Sequence, residues 1–318
     1  MKMFEEIYKE LENADNNELD TLWQEAKKQN EKMKKIAIII CLIIDMFFII
    51  MVLKNVTYLE PISFLYIMIF ALMMNIIIFA IITMCGKNSK KQRQLTAKYK
   101  QVVISKIMSN FYDNLKYFPQ NGMPEYIYEQ LQYEYYNQYK SDDYFEAQIN
   151  NKYNIQMAEV LTQEERTYKD SEGETQTETV TKFHGLFAKI IMDKSINSEL
   201  KIMKDRTISK KDRLNMDSSE FEKHFDVKAS NKIIGMQLLT ADVMEELVQF
   251  ENKANMKFDI AMKENELYLR FHSGAMFEVG NFKKGVLNKE VIQKYFYMLK
   301  LTYDLSNKLI NVINDAQI

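Results

Sequence analysis

Apolar residues are spread unevenly along this 318-residue chain, and their spacing changes three times. Before residue 36 they form a sparse helical stripe. Phe4, Ile7 and Leu11 lie at helical spacing, and Leu19, Leu22, Trp23 and Ala26 follow after an Asn/Asp-rich break at residues 13–17. Residues 36–53 and 62–85 are then almost wholly apolar. A helix rises about 1.5 Å per residue, so about 20 such residues cross a hydrocarbon core of about 30 Å. Both runs meet that length, and the link from Lys54 to Pro61 is short enough only for a tight turn between antiparallel spans. The second amphipathic helix is expected to continue into the first span.

After the spans, Leu95, Tyr99, Val102, Val103, Ile107 and Phe111 predict a helix within residues 88–117, ended by Pro119 and Pro124. Residues 125–146 are dense in tyrosine. From about residue 150 the period shortens to two, which predicts strands at 154–168 and 176–192 around a polar turn at 169–175, and another at 198–205. A short helix beginning at Ser218 or Ser219 is expected to bring Phe221 and Phe225 onto one face. Thr240 is placed to cap a helix over 241–253, with Val243, Leu247 and Phe250 inward. Strands at 257–263 and 266–272 are expected to flank a tight turn, followed by a strand at 276–279. A long helix over 289–314 closes the chain, capped by Asn288 and with Leu287 and Ile292 at the two positions of a hydrophobic staple. With no βαβ alternation, this order predicts an α+β fold: a transmembrane helical hairpin, then an antiparallel-sheet domain with flanking helices and a long C-terminal helix. The expected division is a helical segment at 1–35, a membrane hairpin at 36–85, a helical, Tyr-rich, membrane-proximal segment at 86–147, and an α+β domain at 148–318.

Charge orients the hairpin. Lys27, Lys28, Lys32, Lys34 and Lys35 precede the first span, Lys87, Lys90, Lys91, Arg93, Lys98 and Lys100 follow the second, and the link carries only Lys54. Lys and Arg are retained on the cytoplasmic side, so both termini are expected there, in a bacterial plasma membrane. A cleaved signal peptide is not expected, because the first apolar run starts late, is long, and lacks a small-residue cleavage site. The mean hydropathy of −0.33 and 27% charged residues average a polar domain with two apolar helices. A net charge of −2 points away from nucleic acid. Eight glycines and three prolines exclude linker-rich or low-complexity architectures.

Asp45 and Asn75 are the polar residues inside the spans, each about 15–18 Å from the cytoplasmic edge at the helical rise. A carboxyl group at that depth normally faces protein or water. One reading has the Asn75 amide hydrogen-bonding Asp45 and stapling the hairpin or an oligomer. The other has Asp45 handling a proton or ion. Among the tyrosines, Tyr133, Tyr136 and Tyr139 form a candidate interaction surface, weighed against a place in the core. Cys41 and Cys85 lie in the apolar runs, outside any CxxC or Cys/His cluster. His184, His224 and His272 have no metal-ligand spacing. Asp142 and Asp143 form an acidic pair in an expected loop, read as solvated rather than as a cation site. There is no phosphate loop, HExxH or GxSxG. No catalytic residue, cofactor or metal is assigned.

Four stretches taken together carry a resemblance: Phe183-His-Gly-Leu-Phe187, Glu220 through Val227 (EFEKHFDV), Leu238 through Leu247 (LLTADVMEEL), and Phe258-Asp-Ile followed by Leu267-Tyr-Leu-Arg-Phe271. Their order resembles the bacterial membrane-associated family known as domain of unknown function 3137, over about residues 95–315. The resemblance implies one continuous domain and a membrane anchor, and it supplies no catalytic or binding residue. The leading functional expectation is a non-enzymatic, membrane-anchored binding or scaffold protein with a protein partner or a second copy. The alternatives are a subunit of an oligomeric pore or transport accessory using Asp45 and Asn75, and a membrane-surface enzyme.

Overall fold

The computed structural model describes residues 1–55, 61–87, 89–169, 171, 173–205, 207–277 and 285–316. The chain forms two compact units. One holds three helices: α2 (Asn17–Asn55), α3 (Pro61–Lys87) and α4 (Lys90–Tyr99). The other holds most of α1 (Phe4–Asn13) together with the whole sheet and the remaining helices.

In the helical unit, α2 runs without a break from a polar first half into the apolar run. The polar half contacts α4 through ion pairs from Lys91 to Glu25 at 2.5 Å and from Lys98 to Glu18. The apolar half pairs with α3. Ala37 and Ala71 are buried, and the rings of Phe48 and Phe70 lie 6.2 Å apart. The outward residues are large and apolar, among them Ile39, Ile43 and Phe47 on α2 and Leu72, Ile76 and Ile81 on α3, each more than half exposed apart from any bilayer. Both helices are long and apolar enough to cross a membrane. The link at 56–60 lies outside the described residues.

The other unit is built on an antiparallel sheet. A π-helical turn at Lys100–Ile104 and α5 (Ser105–Met108) lead to β1 (Asp113–Phe118). After α6 (Glu125–Glu129) come β2 (Gln138–Ile149), β3 (Tyr153–Lys169) and β4 (Thr175–Lys204). Next are α7 (Phe221–His224), β5 (Phe225–Ala229), α8 (Lys232–Leu238), α9 (Ala241–Ala254), β6 (Phe258–Phe271) and α10 (Lys289–Asp315). Strands β1 to β4 pair in sequence order. The long β4 then wraps past a hairpin. Its first half pairs Leu186–Ile191 with residues 266–271, and its second half pairs Ile196–Ile202 with residues 260–264. Strand β6 turns back on itself at Glu264, whose φ is +54°, so that the His272 N–H donates to the Lys257 carbonyl at 3.0 Å. The two arms of β6 thus lie between the two halves of β4, and β5 closes the far edge.

The expected α+β class and long C-terminal helix are present, with α10 burying Tyr295, Leu299, Leu305 and Leu309. Thr240 caps α9, its Oγ1 accepting from the Val243 N–H at 3.5 Å. Within α9, Leu247 is buried, but Met244, Val248 and Glu251 complete the inner face, while Val243 and Phe250 are only half-buried. Two expectations need correction. The segment 86–147, expected to be helical, also supplies two strands of the main sheet, β1 and all but the last two residues of β2. Phe225 begins a strand instead of continuing the Phe221 helix. Residues 1–11 pack with the sheet unit, Phe4 against Phe296 at 5.6 Å, in keeping with the amphipathic stripe of Phe4, Ile7 and Leu11. Of the strand expected at 276–279, Glu278 and Val279 lie outside the described residues.

Gly185, in the Phe183–Phe187 stretch, has a physical reason to be glycine. A Cβ there would stand 1.9 Å from the Phe271 carbonyl oxygen, at the point where β6 leaves the ladder.

Candidate functional site

Three groups of polar side chains and one exposed ribbon are assembled by these elements. In the helical hairpin, Asn75 Nδ2 donates to Asp45 Oδ1 at 2.6 Å, and the Cys41 thiol lies 3.7 Å from the Asn75 carbonyl. Asp45 and Asn75 therefore meet across the seam between α2 and α3.

The second group is centred on Arg270. The turn at Glu264 sets Arg270 opposite Asp259, and both are buried. Asp259 Oδ2 accepts from Arg270 Nη2 at 2.6 Å, from Arg270 Nε at 3.0 Å and from His272 Nε2 at 2.8 Å, while its Oδ1 accepts from the Lys204 N–H at 2.9 Å. Burial alone would raise the Asp259 pKa; Arg270, His272 and the Lys204 N–H instead hold the carboxyl well below the usual carboxylate range. The remaining Arg270 nitrogen, Nη1, donates to Glu134 at 2.5 Å and to the Tyr128 hydroxyl at 2.8 Å. The guanidinium lies 3.7 Å from the centre of the Tyr133 ring and 4.9 Å from that of Phe183.

This centre shows where the tyrosines go. Tyr133, Tyr136 and Tyr139 are half-buried and pack on a core formed by Tyr128, Phe183, Phe187 and Tyr268. Tyr139 donates to the Met123 carbonyl at 2.9 Å, and burial pushes its hydroxyl up to about 12. The outward tyrosines of this region are Tyr126 and Tyr135. Sequence reading missed Arg270, Asp259 and Glu134. A charged residue within each apolar arm, 258–262 and 267–271, was the available signal: a turn at 264–265 places 259 opposite 270.

The third group surrounds Asp143, which occupies a bulge of β2 with φ +53°. It is buried, not a solvated loop residue. Lys100 from the π-helical turn donates to Asp143 Oδ2 at 2.5 Å, and the Tyr117 hydroxyl donates to Oδ1. Burial pushes the Asp143 carboxyl up to about 6, against the pull of Lys100 and Tyr117. Asp142 and Glu159 stand beside it at distances that could hold a metal ion. The charge of Lys100 already answers Asp143. Glu159 accepts from the N–H groups of Met276 and Phe277 at 2.8 and 3.3 Å and from His184 at 3.3 Å. The histidines remain apart, beside different carboxylates: His184 on Glu159, His224 on Glu251 and Glu220, and His272 on Asp259.

The fourth feature is a ribbon. Beyond Gln163, β3 and β4 continue as a two-stranded arm whose residues 165–169 and 175–179 are exposed. Asp170 and Glu172 of its polar turn lie outside the described residues.

Comparison with known proteins bears on the sheet unit.

Residues 181–310 match the family described as protein of unknown function, DUF3137.

The match covers less than half of the chain and lies inside the span that the four stretches indicated. No curated protein matches. The crystal structure of the mycobacterial trehalose monomycolate transport factor A, TtfA, superposes with a TM-score of 0.33 at 9% identity, covering 70% of this chain and 97% of that one. The DUF3137 span begins at the root of the arm and contains both halves of the β6 hairpin, so Asp259, Arg270 and Gly185 fall inside it, whereas Glu134, Tyr133, Lys100 and Asp143 fall outside.

Proposed function

We propose that this chain is a membrane-anchored binding protein, without a catalytic role of its own, tethered by α2 and α3 with both termini in the cytoplasm, and that it holds a protein partner through the β3–β4 arm. The Asp45–Asn75 hydrogen bond then staples the anchor, since a carboxyl group at mid-bilayer is best retained when a neighbouring helix supplies its partner. The Arg270 and Asp143 groups serve the frame. Every carboxylate oxygen of Asp259 and Asp143 is engaged by an internal donor, which suits support of the sheet rather than turnover of a substrate.

The observation that carries this reading is the arm. A two-stranded ribbon with both faces in water is marginally stable by itself. This one adds no core residue over 165–169 or 175–179. Its retention makes sense if a partner covers it.

The test is to replace residues 167–177 with Asn-Gly, a two-residue hairpin turn that rejoins the ladder partners Arg166 and Glu178. Full-length parent and variant are purified from their own membranes in mild detergent, and the mass and melting temperature of each assembly are measured. The variant is expected to melt as the parent does but to lose mass. Equal masses would overturn the reading.

A further inference from the structure

The arm has two edges, and they are treated differently. On β3, Asn137 closes the edge: its side chain accepts from the Glu165 N–H at 2.8 Å and donates to the Glu165 carbonyl at 2.9 Å, and its own N–H donates to the Gln163 carbonyl at 3.0 Å. Gln163 and Glu165 therefore face away from β4. Backbone groups alternate along a strand, so Glu164 and Arg166 face β4 and bond to their partners Val180 and Glu178. It follows that Thr177, Thr179 and Thr181 turn their N–H and C=O groups to the other edge of β4. On that side the pairing with β6 begins only at Leu186, and the His184 carbonyl accepts from the Gly274 N–H at 3.1 Å. Among the described residues no strand pairs with that edge between Thr177 and Phe183. An edge of alternating threonines, free of proline and unpaired among the described residues, is a template for strand addition.

The side chains choose what is added. Glu178, Val180 and Lys182 share one face of the strand, with opposite charges two residues either side of an apolar one. If this edge meets itself antiparallel with Val180 opposite Val180, each Glu178 falls opposite a Lys182 and each Thr179 opposite a Thr181. Shifting the pairing by two residues toward the arm's tip would oppose Glu178 to Glu178, which is unfavourable. Within one chain Lys182 reaches Glu164 at 2.7 Å, and Glu164 also holds Arg166 at 2.5 Å, so Glu164 keeps a cation when Lys182 turns to a partner. Glu178 is exposed at the edge.

We infer that the outer edge of β4 at residues 177–182 binds the same edge of a second copy of this chain, antiparallel, with Val180 facing Val180. The inference rests on the arm being the contact element and names its partner.

The test is disulfide trapping in the full-length, membrane-embedded chain. With the backbone groups of residues 178 and 180 turned back to β3, the Val180 pair would be a non-hydrogen-bonded one, with Cα atoms about 4.5 Å apart, inside disulfide range. V180C is expected to shift from the one-chain to the two-chain position on a non-reducing gel under mild oxidation. T179C, whose own counterpart would lie about 7–8 Å away on a diagonal, is expected to stay at one chain. The parent, with Cys41 and Cys85, gives the background. Adding Thr179→Pro, which removes an outward N–H and spares the bonds to β3, should abolish the V180C dimer. No V180C dimer, or equal dimer from T179C, would overturn the inference. If V180C stays at one chain while shortening the arm still removes mass, the arm binds a different partner, and only this inference fails.

Discussion

Replacing Arg270 with methionine is expected to destabilise the sheet unit by about 3–5 kcal/mol, because it strands two carboxylates, one of them fully buried. Asp259 would keep only His272 and the Lys204 N–H, and Glu134 would lose its 2.5 Å partner. The cation resting on Tyr133 and Phe183 would also be lost. For a unit of this size such a loss corresponds to a melting temperature lower by roughly 10 °C. Arg270→Lys keeps the charge but not the fork that reaches Asp259 through two nitrogens, and should fall between parent and methionine variant. The exposed Lys223–Glu220 pair supplies the control: Lys223→Ala should leave the melting temperature nearly unchanged, because solvent screens the pair. Thermal unfolding of the full chain in detergent checks all three. A melting temperature for Arg270→Met equal to that of Lys223→Ala would show that the buried group does not hold the hairpin to the tyrosine segment.

Lys100→Met is the second large effect, and it depends on pH. Asp143 has a folded-state pKa raised to about 6 from an ordinary 3.8, so the folded chain binds that proton more tightly than the unfolded chain does. Its contribution to stability is therefore fully present below the unfolded pKa and is lost as pH rises through about 6. Taking away Lys100 removes the charge that pulls this pKa down, leaving a buried carboxylate without its cation at pH 7. The expected cost there is about 3–5 kcal/mol. At pH 5 the carboxyl holds its proton and the deficit against the parent should shrink. Adding Asp143→Asn to Lys100→Met should recover much of the loss at pH 7. Melting curves at the two pH values decide it, and an equal deficit at both would contradict a titrating Asp143.

Much of this fold could be read from hydrophobic period alone, where a single element decides its own pattern. The α2–α3 hairpin, the Thr240 cap, the β3–β4 hairpin, the turn between residues 263 and 266 and the stripe of α10 all carry local signals. Elements whose pattern is set by neighbours could not be read that way. Strand β1 follows Ile107 and Phe111 so closely that its alternation merges with a helical stripe, although only every second residue is half-buried. In β2 the tyrosines hide the alternation because Tyr139 and Tyr144 pack partly and also hydrogen-bond. Strand β5 is short and pairs with β4, which lies more than twenty residues earlier in the chain.

The side-chain groups divide in the same way. Asp45 and Asn75 stand out because an unbroken apolar run makes a carboxyl or amide within it conspicuous. Asp259 and Arg270 become a pair only once the hairpin register is drawn. Lys100 and Asp143 are joined by a π-helical turn and a β-bulge, neither of which has a sequence period. Tyr133, Tyr136 and Tyr139 lean on the core because Arg270 and Tyr128 anchor their segment.

The tether itself is tested most directly by cysteine labelling in intact cells. Lys54→Cys, at the end of α2, should react with a membrane-impermeant maleimide added outside. Lys223→Cys, exposed on α7, should react only after the membrane is opened, and the parent's Cys41 and Cys85 give the background. The reverse pattern, or equal labelling of both positions before opening, would contradict a cytoplasmic sheet unit anchored by two spans.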